Sequence, residues 1–120
     1  MTQRFKLVVL ESPFAPIGTY STQCNIEFAR ACVKDCLSRG ESAYASHLFF
    51  TQEGILDDTI PAERELGINA GFAWRTMAEK TVVYIDHGVS FGMWKGIFHA
   101  QELMPEGHLL EFRYLNPPKQ

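Results

Sequence analysis

Three polar clusters in this 120-residue chain follow directly on short apolar runs, and their residue types suit a sugar-phosphate ligand. Ser12-Pro13-Phe14 follows Phe5 to Leu10, Ser46-His47 ends a run that starts near Ser42, and Asp86-His87-Gly88 follows Thr81 to Ile85. Ser12 and the loop behind it offer a hydroxyl and backbone amides to a phosphate or ribose, although an ordinary strand-to-helix turn explains them equally well. His47 suits a donor to a ligand oxygen, or an acid-base group near neutral pH. Asp86 suits ribose hydroxyls, with capping of the following helix as the alternative. His87 requires no more than a surface loop.

Asn25, at the start of a helical stretch, either caps that helix or reaches a ligand. Asp57, Asp58, Glu63 and Arg64 lie on a long connection and on the helix it enters. Long connections in compact domains are often lids, which makes Asp58 and Arg64 ligand candidates and leaves Asp57 and Glu63 as solvated charges. Ser90-Phe91-Gly92-Met93 opens a further helix, whose free amides and dipole favour an anion. Gly96 sits one turn inside it, where glycine costs about 1 kcal/mol relative to alanine. Close approach of a ligand or another helix is the usual reason. Cys32 and Cys36 share a helix face, but no His or further Cys stands nearby at ligand spacing. Both read as buried thiols, and no metal is expected.

The elements that must position these residues alternate along the chain. Strands are expected at 5–10, 42–46, 81–85 and 108–114, each apolar and short. Helices are expected from 23 to 39, from Pro61 onward with Thr59 as cap, and from Ser90 or Phe91 to Met104. In the second helix Leu66, Ala70, Ala73 and Met77 form the predicted core stripe. The order β-α-β-α-β-α-β implies one domain, residues 1–120, with a four-stranded parallel sheet covered by helices on both faces. Such sheets hold ligands beyond the carboxyl ends of their strands, where the three polar clusters fall. In the third helix Trp94 and Phe98 add a second apolar stripe beside the core stripe, which points to self-association.

Bulk properties narrow the partners. A net charge of −3 and a pI near 5.8 argue against nucleic-acid polymers and anionic membranes. No apolar run approaches the roughly 18–20 residues needed to cross a bilayer. The opening residues lead straight into a strand rather than a signal peptide, and the odd cysteine count fits a reducing compartment, so the expected location is the cytoplasm. Neither GxGxxG nor a Walker loop is present, which disfavours dinucleotide oxidoreductases and P-loop enzymes; no cofactor is expected.

Four motifs in order, Glu11-Ser12-Pro13-Phe14, Asn25 to Arg30 (NIEFAR), Ala45-Ser46-His47 and Asp86 to Met93 (DHGVSFGM), resemble the nucleoside 2-deoxyribosyltransferase-like superfamily. The chain is most similar to its small, often phage-encoded members. The resemblance implies a flavodoxin-like (Rossmann-like) three-layer sandwich, homo-oligomers and a pocket for nucleosides or nucleotides. It also implies N-glycosidic cleavage by a glutamate on the helix after the third strand, because the oxocarbenium-like sugar needs a nearby carboxylate. That position, four residues before Ala100, holds Gly96. The expectation is therefore a sensing or sequestering protein that binds a nucleotide without turnover. Its binding residues would be Ser12, Phe14, Asn25, His47, Asp58, Arg64, Asp86, Gly88, Ser90, Gly92, Met93 and Gly96. An enzyme with a relocated carboxylate is the alternative, Asp86 or Asp58 stabilising the sugar cation and His47 acting as acid. A ligand-free interaction module is the third reading.

Overall fold

The computed structural model describes residues 4–119. Strand β1 spans Lys6–Glu11, helix α1 Thr22–Ser38, strand β2 Glu41–Tyr44 and a short helix α2 Ser46–Phe49. Helix α3 spans Pro61–Arg75, strand β3 Lys80–Tyr84, helix α4 Phe91–Leu103 and strand β4 Leu109–Arg113. The four strands form one sheet in the order β2-β1-β3-β4, and every pairing is parallel. This is the expected three-layer α/β sandwich.

Side-chain alternation along the strands assigns the two faces. Val8, Leu10, Val82 and Tyr84 pack with Phe28, Cys32 and Cys36 of α1. Val83, on the opposite face, packs with Met93 and Ile97 of α4. Glu11 shares that second face and meets Arg75 of α3. Cys32 and Cys36 are fully buried, as their spacing on α1 suggested. No helix among the described residues is long and apolar enough to cross a membrane.

Ser21 caps α1 by accepting from the Cys24 amide, so Asn25 is left for another task one turn later. The helix stops at Gly40, whose φ of 77° is readily available only to glycine. Strand β2 is shorter than expected, because Ser46 already opens α2. Ile60, not Thr59, precedes α3; Thr59 instead donates from both its amide and its hydroxyl to Asp57.

The rotation of α3 is the largest correction. Leu66 and Met77 of the predicted core stripe are 59% and 76% exposed, and Ala73 is exposed too. The inward face carries Arg64, Ile68, Gly71 and Arg75 instead. This face closes over a polar recess and a buried carboxylate rather than over an apolar layer. The helix therefore turns its cations and its glycine inward.

A charged network lies on the α1 face of the sheet. Arg113 donates to both carboxylate oxygens of Glu41 at 2.7 and 2.6 Å, and Lys80 bridges Glu41 and Glu111 at 3.0 and 3.1 Å. The Arg113 guanidinium holds the Glu41 carboxyl down at about 2.

Candidate functional site

The carboxyl ends of β1 and β2 deliver Glu11, Ser12, Ser46 and His47 to one recess of about 70 Å³. Arg64, Ile68, Gly71 and Arg75 of α3 form one wall, and Ser90, Gly92, Met93 and Gly96 of α4 form another. The recess opens through Phe14, Ala15, Asp58 and Arg64 into a cleft of about 880 Å³. The loops around residues 14–16 and 51–59 bound this outer cleft, with Ile55 and Leu56 on its far side. Its volume falls within the range of small-molecule sites, whereas the inner recess holds only a water or two.

Ser12 and His47 meet at the recess, Oγ to Nε2 at 2.7 Å. Burial pushes the His47 imidazole down to about 4, so the ring is neutral at pH 7. With Nε2 engaged by Ser12, the neutral ring keeps Nδ1, and the hydroxyl keeps its remaining lone pairs or its proton, for a ligand. At the mouth, burial raises the Asp58 carboxyl above its ordinary value, with Arg64 opposing the shift.

Arg64 makes no ion pair among the described residues, and a Cβ built on Gly92 would lie 3.7 Å from its Nη2. The guanidinium therefore rests against the start of α4. Ser90 caps that helix through the Met93 amide, while the Ser90 amide donates to the Met93 sulfur. A cation beside the first turn of a helix is an arrangement suited to a phosphate.

The floor of the recess is a buried ion pair. Glu11 pairs with Arg75, whose side chain is 2% exposed. Arg75 also donates from Nε to the Thr81 hydroxyl at 3.0 Å and from Nη1 to His99 Nδ1 at 3.2 Å. That bond fixes the neutral His99 tautomer, with its proton on Nε2. Burial pushes the Glu11 carboxyl up to about 7, against the pull of Arg75. A Cβ built on Gly96 would fall inside this carboxyl group, under 3.0 Å from its carbon and both oxygens. Gly71 serves Ser46 in the same way, since a Cβ there would overlap the Ser46 side chain. The helical glycines mark where other residues press in, and at Gly96 that residue is a glutamate from β1.

Nine of the twelve expected binding residues thus line one recess: Ser12, Phe14, His47, Asp58, Arg64, Ser90, Gly92, Met93 and Gly96. Three do not. Asn25 is fully buried and donates to the Phe14 and Ala15 carbonyls at 3.4 and 3.0 Å, while its oxygen meets His87 Nδ1 at 2.9 Å. Asp86 turns toward the C-terminal segment and accepts from the Leu115 and Asn116 amides at 2.8 and 2.9 Å. Gly88, with φ 94°, supplies the turn after β3 and packs near Ile17. His87 is stacked between Tyr20 and Phe28, at 3.7 and 4.0 Å between ring centroids, and so does more than occupy a loop. Gly71 and Arg75 were not among the expected site residues, and Glu11 and Ser46 stood only within motifs, with no role of their own. The spacing of Arg64, Ile68, Gly71 and Arg75 on one α3 face would have revealed part of this set.

These features define a three-layer α/β domain with a polar recess at the carboxyl edge of its parallel sheet. Over residues 6–107 the chain matches the family described as a domain of unknown function, DUF7768, and it belongs to that family. No curated protein and no solved structure matches it.

Proposed function

We propose that this domain binds a nucleotide or nucleotide-derived signal molecule without turnover, as a sequestering or sensing protein in the cytoplasm. The reading rests on the resemblance to the deoxyribosyltransferase-like superfamily and on one observation. Ser12, His47, Asp58, Arg64 and the start of α4 converge on a recess that opens into a nucleotide-sized cleft. In this arrangement the phosphate sits between Arg64 and the first turn of α4. Ser12 and His47 face the sugar, and the base lies in the outer cleft against Phe14 and Leu56. The absence of a carboxylate on α4 at Gly96, and the smallness of the inner recess, favour binding over chemistry.

Mass spectrometry of small molecules released from the purified protein, with calorimetric titration of nucleosides and their 5′-phosphates, tests this. The expected result is a released or titrated nucleotide that loses at least tenfold in affinity in Arg64→Ala, consistent with one charge-assisted contact of about 1.5–3 kcal/mol. A protein that releases nothing and binds no member of a broad nucleotide panel rules the reading out.

A second reading is favoured by the Glu11 carboxyl resting on Gly96. There β1 supplies the carboxylate that the superfamily carries on its helix, and Asp58 replaces the acid that protonates the departing base. The N-glycosidic electron pair leaves with the base as Asp58 protonates it, and water then adds to the sugar cation, giving up its proton to the Asp58 carboxylate. Free base appearing during long incubation with nucleotides, and lost in Glu11→Gln, distinguishes this enzyme from the binder.

A further inference from the structure

We propose that the outer edge of β2 is a docking site for an extended, acidic segment of a partner protein, which adds to the sheet as a fifth strand. Strand β2 closes one side of the sheet and pairs only with β1. The Lys6 amide donates to the Gly40 carbonyl at 3.0 Å, and the parallel register of Lys6 to Val9 with Glu41 to Tyr44 continues from there. In a parallel ladder alternate residues face the neighbouring strand, so Ser42 and Tyr44 also bond to β1. The amides and carbonyls of Glu41 and Ala43 point the other way, and no hydrogen bond reaches them among the described residues. A row of unpaired backbone groups of this kind is a template for another strand. The register runs without a bulge, the edge carries no proline, and its only charged side chain, Glu41, turns inward to Arg113.

A groove of about 530 Å³ lies along this edge. Ala43 and Ala45 border it, with Ile26 and Val33 of α1 and Leu48 and Phe49 of α2. Side chains alternate along a strand, so an added segment presents every second residue to this apolar groove. Those between fall on the other face of the sheet, beside Trp74, which is about half exposed and stacks on Tyr44 at 4.7 Å. The Tyr44 hydroxyl is the one buried side-chain polar atom without a hydrogen-bond partner among the described residues, so the domain's own polar pairing is incomplete at this edge.

Charge decides the kind of partner. Arg30 is the only charged residue lining the groove, and it is exposed. Lys34 stands one turn further along the same side of α1, exposed as well. Neither belongs to an ion pair among the described residues. Glu27 lies on that side too and offsets one of the two charges, which leaves the rim positive on a chain whose net charge is −3. A carboxylate on the incoming strand meets Arg30, whereas a basic segment is repelled. A second copy pairing through the same edge, about a two-fold axis normal to the sheet, would set its own Arg30 and Lys34 against the first pair, and like charges disfavour it. The groove shares no lining residue with the polar recess, so this docking stands apart from the nucleotide reading.

Fluorescence anisotropy on the full chain tests the site. The probes are labelled decapeptides that alternate valine or isoleucine with polar residues and carry one Asp or Glu at each polar position in turn. The tightest members are expected to bind with Kd below about 100 µM, and the same peptides with Lys in place of the acid about tenfold more weakly. Methylating alternate peptide amides, in the phase that faces β2, should cost about tenfold by removing ladder bonds while the side chains stay. Arg30→Glu, with an unchanged circular dichroism spectrum, should reverse the preference toward the basic peptides. In amide-resolved NMR the Glu41 and Ala43 amides should shift downfield on binding, as an amide does on gaining a hydrogen bond. No binding anywhere in the library, equal binding of acidic and basic members, indifference to methylation, or shifts centred elsewhere would each overturn the proposal. So would a wild type that dimerises in sedimentation with those two amides protected from exchange, because the edge would then belong to a second copy.

Discussion

Replacing Gly96 with alanine measures how firmly the Glu11 carboxyl is held against α4. In an unconstrained helix the exchange stabilises by about 1 kcal/mol. Here the new methyl group would lie under 3.0 Å from the carboxyl carbon and both oxygens of Glu11. Glu11 cannot swing away without abandoning Arg75, which is 2% exposed and would become an uncompensated buried cation. Breaking a buried pair costs about 3–5 kcal/mol, so the net loss after the helix gain is about 2–4 kcal/mol. For a chain of this length that lowers the melting temperature by roughly 10 °C. Differential scanning calorimetry or urea unfolding reads it directly. The double variant Glu11→Ala/Gly96→Ala removes the obstruction, so its cost should fall short of the summed single costs by at least about 1 kcal/mol. A Gly96→Ala protein that melts at or above the wild-type temperature would mean that the carboxyl does not rest there.

Titration supplies two further expectations of opposite sign. Glu11 is raised from 4.5 to about 7, so its contribution to stability is complete below pH 4.5 and is lost as pH rises through 7. The stability difference between wild type and Glu11→Gln should therefore shift against the wild type by up to about 3 kcal/mol between pH 5 and 8, in urea unfolding at matched ionic strength; a flat difference contradicts it. Glu41 is lowered from 4.5 to about 2, so its contribution is present above pH 4.5 and disappears as pH falls through 2. Glu41→Gln should flatten the acid limb of unfolding, and an unchanged limb would remove Glu41 from the account. Asp86→Ala should lower stability by about 1–3 kcal/mol by orphaning the Leu115 and Asn116 amides, with nucleotide affinity unchanged within about threefold by calorimetry. A larger affinity loss at intact fold would return Asp86 to the site.

The fold was legible because each strand is short, apolar and flanked by turn formers, and β1, α1, β3, α4 and β4 fall within a residue or two of their expected ends. The orientation of α3 was not legible. Leu66, Ala70, Ala73 and Met77 recur at helical spacing, but that periodicity reports an apolar face without saying whether it turns inward. Burial of Arg75 depends on Glu11 and Thr81, which come from other elements. For Asp86 the local pattern was ambiguous in kind: a carboxylate at a strand end serves a ligand or nearby amides equally well. The amides that claimed it are almost thirty residues away. Gly96 was legible as a position where something presses in, and only the three-dimensional arrangement names Glu11.

The two walls of the outer cleft are secured unequally. The wall at Phe14 and Ala15 is tied to distant parts of the chain through Asn25 and His87, with Tyr20 stacked on the imidazole. The facing wall is held by short-range bonds: Ile55 to Gln52, Leu56 to Phe50, Ile60 to Asp57, and Asp57 to Glu63. Substitutions between 51 and 60 can therefore reshape what the cleft accepts at little cost to folding, while changes at Asn25 or His87 disturb the domain as a whole. Divergence in ligand preference within such a domain has one inexpensive route, through the locally built loop.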